Sequence, residues 1–290
     1  MDAQHSGDAG GREFHRVADE LRARITGGTY PLRSFLPSQR DLAEELGVSR
    51  DTVQRVLREL VSEGWIQSRR GSGSRVVKTQ QIRSSTPKAT RQPRGVTLGP
   101  VLSEAFEQPE VLLDVYTLTS ESLDAHIRLQ AERILQGSIA PRRIGLRMIL
   151  PSEELVLPYP RAKDDKDDHR LRDRLHVITN RRTDSLRGVL RDVQAEVPSV
   201  DVDIQIRHAS LTPAFKLYLL NGAEALLGPY EVMERPIWLE SGEEVVALDV
   251  LGLGATLTHH VKDEEANSPG SVFVATWQAW FDSVWNLLAE

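Results

Sequence analysis

The chain has 290 residues, of which 40% are hydrophobic and 27% charged, with no cysteine and a formal net charge of −6. This composition is typical of a globular protein with about two domains, and the lack of cysteine excludes disulfides, thiolate zinc sites and cysteine nucleophiles. No segment has the roughly 18 apolar residues of a membrane helix, and residues 1–14 have no apolar run. The sequence therefore predicts a cytoplasmic protein without membrane contact.

The two ends of the chain differ in charge. Residues 1–98 contain 17 lysines and arginines against 11 acidic residues, whereas residues 99–290 contain 19 against 31. A basic segment on an acidic body is typical of a nucleic-acid-binding module attached to a part that does not bind nucleic acid. On charge alone, the alternative is that the difference between the two ends of the chain arose by chance.

Three helices and a hairpin are predicted in the basic part of the chain. Apolar residues recur at three- and four-residue steps over residues 14–25, which predicts the first helix. Ser38 is a good N-cap for a short second helix that ends at Gly47, and Ser49 begins a third helix. Alternation over residues 65–77 around a GSGS turn predicts a β-hairpin. Gly64 is expected to end the third helix. The apolar positions of that helix are Val53, Val56, Leu57 and Leu60.

These elements predict a helix-turn-helix with a β wing. In that motif the first helix braces against the DNA backbone, and the second enters the major groove with its N-terminus leading. Arg50 at the leading end can pair with guanine, a contact worth roughly 1–3 kcal/mol of discrimination, while Arg40 and Arg55 are placed for phosphates. The wing tip is placed for the minor groove or the backbone. The predicted DNA contacts are Ser38, Gln39, Arg40, Ser49, Arg50, Asp51, Thr52, Gln54, Arg55, Arg69, Arg70, Gly71, Ser72 and Gly73.

The run LPSQRDLAEELGVSRDTVQRVLRELVSEGWIQSRRGSGSRVV, with GGTYPLRSFLPS upstream of it, resembles the GntR family of bacterial repressors over residues 12–77. The resemblance implies a DNA-binding domain that acts on an operator. Asp51 stands where threonine is common and Gln54 where arginine is common, so the operator sequence does not carry over. Gln54 is instead suited to adenine N6 and N7. The alternative is a structural helical pair with solvated arginines.

A basic linker is predicted over residues 78–95, which contain prolines and a single aliphatic residue. Strands then alternate with helices over residues 96–290, which predicts a larger C-terminal α/β domain for effector binding or dimerisation. The predicted fold class is thus an α+β winged helix-turn-helix joined by this linker to an α/β domain. Its strands are placed at 111–119, 143–151, 200–209, 215–222, 231–239 and 243–252, and its helices at 122–135, 168–196 and 272–288.

A short motif in the C-terminal part weakly resembles phospholipase-D-like domains, which carry His-x-Lys-x4-Asp. Lys216 stands at the lysine position and Asn221 at the aspartate position, but Ala214 replaces the histidine nucleophile, so the covalent route is closed. The resemblance implies that Lys216 and Asn221, with Arg235, bind a phosphate-bearing ligand. The alternative is a surface lysine on an edge strand.

Other polar and aromatic groups favour structural roles. The sequence interprets His259 and His260 as a loop pair, because adjacent side chains of a strand point to opposite faces and cannot share a metal. An aromatic stripe over residues 277–285 is interpreted as core, with a ligand wall or a dimer surface as alternatives. The sequence predicts no metal ion and no cofactor.

The sequence as a whole predicts a sequence-specific transcription regulator that is not an enzyme. The expected form is a ligand-responsive repressor that binds operator DNA as a homodimer, because such operators have two half-sites about one helical turn apart. One alternative is a phosphodiesterase-like enzyme tethered to DNA. Another is a DNA-binding protein without a sensor, whose C-terminal domain only dimerises or recruits a partner.

Overall fold

The computed structural model describes the chain in two compact units. The first comprises residues 1–79 with 236–246, and the second comprises residues 80–235 with 247–290. The residues described are 5–26, 28–62, 65–69, 73–77, 82–84, 98–239, 241–250, 252 and 255–290.

The first unit contains a winged helix-turn-helix, as the sequence predicts. Three helices, α1 (His5–Thr26), α2 (Gln39–Leu46) and α3 (Arg50–Ser62), precede an antiparallel hairpin of β1 (Ile66–Arg69) and β2 (Gly73–Val76). The predicted helix stop at Gly64 lies outside the described residues. The helices pack through the apolar positions that their spacing predicts, and these are buried: Val17, Leu21, Ile25, Leu42, Val53, Val56, Leu57 and Leu60.

The rest of the chain is a larger mixed α/β arrangement. Its helices are α4 (Leu98–Phe106), α5 (Glu121–Leu135), α6 (Arg170–Glu196) and α7 (Pro269–Leu287). Its strands are β3 (Ile82–Ser84), β4 (Glu110–Tyr116), β5 (Arg143–Pro151), β6 (Arg161–Ala162), β7 (Asp201–Ala209), β8 (Phe215–Leu220), β9 (Glu224–Pro229), β10 (Val232–Trp238), β11 (Glu244–Val250) and β12 (Leu257–Val261). None of the described helices is long and apolar enough to cross a membrane.

Seven strands form the main sheet in the order β3-β12-β9-β8-β4-β5-β7. β4, β5 and β7 run parallel, as expected where α5 and α6 connect them. The pairs β4–β8, β8–β9 and β9–β12 are antiparallel, and β12 pairs with β3 in parallel. β10, β11 and β6 form a separate three-stranded sheet.

Helices cover both faces of the main sheet. One apolar cluster joins one face to α4, α5 and α6, and a second joins the other face to α7. One face of β5, formed by Ile144, Leu146, Met148 and Leu150, is fully buried, whereas the other face carries Arg143 and Arg147 and is only partly buried. β7 lies at the edge of the sheet, and its apolar residues Val202, Ile204 and Ile206 alternate with the exposed Asp203 and Gln205. The predicted α/β layering of the C-terminal part is therefore correct in its coarse form.

Several elements differ from the sequence-based expectation. α4, β6, β9 and β12 were not predicted, and residues 82–84 of the predicted linker form β3, which pairs in parallel with β12. The loop interpretation of His259 and His260 is wrong, because both lie in β12, where pairing with β9 on one side and β3 on the other fixes an extended backbone. The aromatic stripe is core at Phe281 and Trp285, which are buried against the sheet.

Candidate nucleic-acid interface

The turn between α2 and α3 is formed by local hydrogen bonds that the sequence encodes. The Ser38 Oγ accepts a hydrogen bond from the Asp41 N–H at 3.2 Å, which begins α2. A separate interaction of the Ser38 side chain with the Asp41 carboxylate lowers the pKa of that carboxyl. Gly47 ends the helix at φ 66°, a left-handed conformation in which glycine has no Cβ to clash. The Ser49 Oγ then accepts from the Thr52 N–H at 3.1 Å and begins α3.

The solvent-facing side of α3 is basic and polar. Arg50, Asp51, Gln54 and Arg55 are all exposed, as the predicted contacts with DNA require. Arg58 is also exposed one turn beyond Gln54 and Arg55, and sequence reasoning missed it. Its spacing from Arg55 is the signal that places both arginines on one helix face. We call this face, residues 50, 51, 54, 55 and 58, the recognition face.

Thr52 does not belong to the recognition face, which corrects the sequence-based prediction. Its side chain is 7% exposed, and its hydroxyl lies 3.0 Å from the Ser49 Oγ. Thr52 therefore fixes the first turn of α3 instead of reaching outward. Ser38, Gln39 and Arg40 at the start of α2 are exposed.

The first helix supports the recognition helix and its neighbour. The Arg55 guanidinium lies over the Phe14 ring at 5.1 Å, which restricts an otherwise mobile side chain. The Arg16 guanidinium donates to the Leu46 carbonyl at 2.8 Å, at the end of α2. Arg24 bonds both Glu20 and Glu45 at 2.6 Å and so joins α1 to α2. These contacts hold α2 and α3 in one arrangement.

The wing is anchored by a third stretch of extended chain. The Leu36 N–H donates to the Ser74 carbonyl at 2.8 Å, and the Val76 N–H donates to the Ser34 carbonyl at 2.9 Å. The Arg75 Nε also donates to the Arg33 carbonyl at 2.7 Å. Gly73 begins β2 at φ 83°, the left-handed region that favours glycine.

The predicted contacts at the wing tip are mostly outside the described residues. Arg70, Gly71 and Ser72 lie there, and Arg69 is described only through its backbone in β1. Their contact with DNA stays a prediction.

The three predicted ligand-binding residues are not brought together. Lys216 is the second residue of β8 and Asn221 follows its end, so a separation of five residues along the extended chain, roughly 16 Å, lies between them. Asn221 adopts φ 52° in the turn to β9; its Oδ1 accepts from the Leu112 N–H at 2.8 Å. Arg235 forms an ion pair with Asp249 through two of its nitrogens. Asn221 and Arg235 therefore have structural partners.

Lys216 is buried in β8, the central strand of the main sheet, next to Leu217, which pairs with Tyr116 at the end of β4. Its ammonium is 2.6 Å from the Gly252 carbonyl and 5.4 Å from the centre of the Tyr230 ring. Burial lowers the pKa of Lys216 to about 8, and the nearby Glu121 carboxylate opposes that shift. The alternative of a surface lysine is wrong, because the residue is 3% exposed.

The two histidines of β12 point to opposite faces. The His259 Nε2 lies 2.5 Å from a Glu224 carboxylate oxygen, whereas the His260 ring stacks on Phe273 at 3.4 Å. Among the residues that the structure describes, no group of three or more histidine, aspartate or glutamate side chains is placed to hold a metal ion.

Comparison with known proteins finds similarity in the first unit. Residues 14–76 match the model for bacterial regulatory proteins of the gntR family. The HTH-type transcriptional regulator TreR of Bacillus subtilis is 33% identical over 70 residues, which are 24% of this chain and 29% of TreR. The Exu regulon transcriptional regulator of Escherichia coli is 38% identical over 69 residues, which are 24% of this chain and 27% of that protein.

One solved structure gives a match of similar extent. A GntR family transcriptional regulator from Listeria monocytogenes is 31% identical over 22% of this chain and 56% of its own, with a TM-score of 0.22. The chain spans less than a third of the length of the two curated relatives described above.

Proposed function

We propose that the GntR-family helix-turn-helix domain at residues 14–76 binds double-stranded operator DNA, and that the chain is a transcription regulator acting as a homodimer. The recognition face carries this proposal. Three arginines and one glutamine are exposed on one side of a helix whose other side is buried in the core. Arginine and glutamine are the side chains that pair bidentately with guanine and adenine in the major groove.

The positions of the exposed arginines along α3 support different tasks for them. Arg50 lies at the first position of α3, at the end that leads into the groove, and we assign it a guanine contact. Arg55 and Arg58 lie further along the helix and are assigned to phosphates, which fix the position of the helix without reading sequence. Gln54 lies between these positions and is assigned to adenine.

The test begins with selection of the preferred operator from random duplexes by the purified full chain. Binding is then compared for Arg50→Ala, Arg55→Ala, Arg58→Ala and Arg191→Ala. Arg191 is an exposed arginine of α6 and serves as the control with the same charge change. Affinity and its salt dependence are measured by fluorescence anisotropy on the selected operator and on single-base variants.

We expect Arg50→Ala to weaken operator binding roughly tenfold or more and to relax the preference at one base pair of each half-site. Arg55→Ala and Arg58→Ala weaken binding to all sequences alike and reduce the salt slope by about 1 for each lost phosphate contact. Arg191→Ala changes neither. Equal effects of Arg50→Ala and Arg191→Ala, or no preferred duplex at all, would refute the proposal.

The second unit is proposed as the regulatory part, with an effector bound beside Lys216. A desolvated ammonium near a carbonyl and an aromatic ring attracts an anionic group, and a phosphate-bearing small molecule fits that chemistry. Binding of the effector to one arrangement of the protein in preference to another would change DNA affinity and relieve repression. Hydrolysis of phosphodiesters is not expected, since Ala214 has no nucleophile.

Thermal unfolding of the full chain with inorganic phosphate, nucleotides and sugar phosphates tests this assignment. A ligand at 100 times its Kd stabilises the folded protein by about 2.7 kcal/mol, which raises the Tm by several degrees. Lys216→Met is expected to abolish the shift and leave selected-operator binding intact. If no compound raises the Tm, the second unit has no phosphate effector, and dimerisation or partner recruitment is its role.

A further inference from the structure

The outer side of the wing carries an exposed aromatic ring. Phe35 is 58% exposed, more than any other phenylalanine, tyrosine or tryptophan that the structure describes. It lies opposite Arg75 of β2 in an antiparallel bridge, and Arg75 lies opposite Gln67 of β1. Residues that lie opposite each other in antiparallel strands share a face, so these three side chains form one row across the wing. All three are exposed, whereas Leu36 and Ile66 are buried on the other side.

The ring of Phe35 is held in place although it is not buried. Its neighbours Ser34 and Leu36 both form backbone hydrogen bonds with β2. The Arg75 guanidinium lies 5.8 Å from the centre of the ring, and its Nε donates to the Arg33 carbonyl at 2.7 Å. Ordering of an exposed apolar ring gains little from burial, so its position favours contact with a partner.

Two arginines beside the ring have no acidic partner. Arg33 and Arg75 are exposed, and neither forms an ion pair with a carboxylate in the described part of the chain, whereas Arg22 and Arg24 of α1 are both paired. Arg33 also has φ 71°, a left-handed conformation that glycine adopts more easily. Such strained residues cluster at binding sites, where the side chain has a use that offsets the strain. We call residues 33, 35, 67 and 75 the wing face.

The wing face lies between two segments that are predicted to contact DNA. A Cβ on Gly73 would lie 3.7 Å from the Phe35 Cδ1, so the ring is beside the first residue of β2, next to the wing tip. In the other direction along the chain, Ser38 caps α2 three residues after Phe35, and Gln39 and Arg40 follow it on the surface. A duplex that contacts both the wing tip and the start of α2 therefore passes the ring.

We propose that the wing face is a second DNA-contact surface, in which Phe35 packs against deoxyribose rings of the minor groove while Arg33 and Arg75 bind the phosphates on either side. The inference rests on the proposed function, because it requires the same domain to bind the operator. DNA fits this face better than a protein partner, since unpaired cations flank one apolar ring and the described row contains no acid. Contacts of this kind position the duplex without reading its sequence.

Hydroxyl-radical footprinting tests the contact of Phe35 with deoxyribose, because these radicals cleave DNA by attacking the sugars from the minor groove. The full chain is bound at saturation to its selected operator, and the wild type is compared with Phe35→Ala. Val177→Ala is the control, because Val177 of α6 has the same exposed fraction of 58%. Methylation of guanine N7 reports the major-groove contacts of the same complexes.

We expect Phe35→Ala to restore cleavage at the few sugars beside the wing, to leave guanine N7 protection unchanged, and to weaken binding roughly fivefold. Val177→Ala changes none of these. Arg33→Gly separates the phosphate contact from folding. It should reduce the salt slope of binding by about 1, while hydrogen exchange of α2 and α3 amides is no faster than in the wild type, because glycine adopts φ 71° freely.

Three outcomes would overturn the assignment of the wing face: a Phe35→Ala footprint identical to that of the wild type, an equal loss of minor- and major-groove protection, or an unchanged salt slope in Arg33→Gly. Equal loss in both grooves would show that Phe35 only supports the fold of the domain. If the wild-type chain prefers no duplex at all, the proposed function itself fails. A wild-type footprint that Phe35→Ala leaves unchanged refutes the wing face alone.

Discussion

Replacement of Gly47 by alanine is expected to destabilise the helix-turn-helix, although the new methyl group meets no neighbour. Gly47 has φ 66°, and a Cβ built there has nothing within 4 Å. The penalty therefore comes from the backbone alone. A left-handed conformation disfavours an L side chain by about 1–2 kcal/mol, and the loss of freedom in the unfolded chain returns about 0.4–1 kcal/mol. The net loss is about 1 kcal/mol.

Gly188 provides a matched control in α6. A Cβ at Gly188 also has nothing within 4 Å, but its backbone is that of a right-handed helix interior. Alanine is favoured over glycine there by about 1 kcal/mol, so Gly188→Ala is expected to stabilise the protein. The same chemical change is thus predicted to act with opposite signs at two sites that differ in φ.

Hydrogen exchange followed by mass spectrometry distinguishes the two sites. Gly47→Ala should speed exchange of α2 and α3 amides roughly fivefold in the regime where exchange follows stability, whereas Gly188→Ala should slow exchange in α6 by a similar factor. Gly47→Asn should fall between wild type and alanine, because asparagine tolerates the left-handed region. If Gly47→Ala proves neutral, or both alanine variants change stability in the same direction, the conformational argument is refuted.

Two further predictions concern the second unit. Because the folded-state pKa of Lys216, about 8, lies below its unfolded value, the free energy of unfolding is expected to rise between about pH 8 and pH 10.5, by about 1 kcal/mol per pH unit. Urea unfolding of Lys216→Met should lack this slope, and an unchanged slope would contradict the burial argument. Arg147 bonds Asp114 through two nitrogens, at 2.7 and 2.5 Å, and Asp282 at 2.9 Å, with side-chain exposures of 15% and 42% for the two acids. Asp114→Asn is therefore expected to lower the free energy of unfolding by about 2 kcal/mol and Asp282→Asn by less, and the reverse order in urea denaturation would contradict it.

The helix-turn-helix could be predicted because its signals are local. Ser38 and Ser49 accept bonds from residues three positions away, and Gly47 is required by its own φ. The apolar positions of α1 and α3 follow from helical spacing. What the sequence could not give is the burial of Thr52, whose hydroxyl turns back to Ser49 instead of outward.

The C-terminal half depends on contacts between residues far apart in the chain. Lys216 and Asn221 share a short motif, yet β8 holds them at opposite ends, and the Asn221 side chain bonds Leu112, 109 residues away. No local pattern specifies which strand lies beside which.

The sequence by itself determined the helix-turn-helix, its capping residues, most of the recognition face and the alternation of β7. These features depend on interactions or patterns among residues that are only a few positions apart in the chain. Only the tertiary structure decided that β7 lies at an edge, that its ends are covered by Gln194 and Glu290, and that Lys216 is buried. Those facts depend on which distant segments pack together, and that is set by the burial of the whole core.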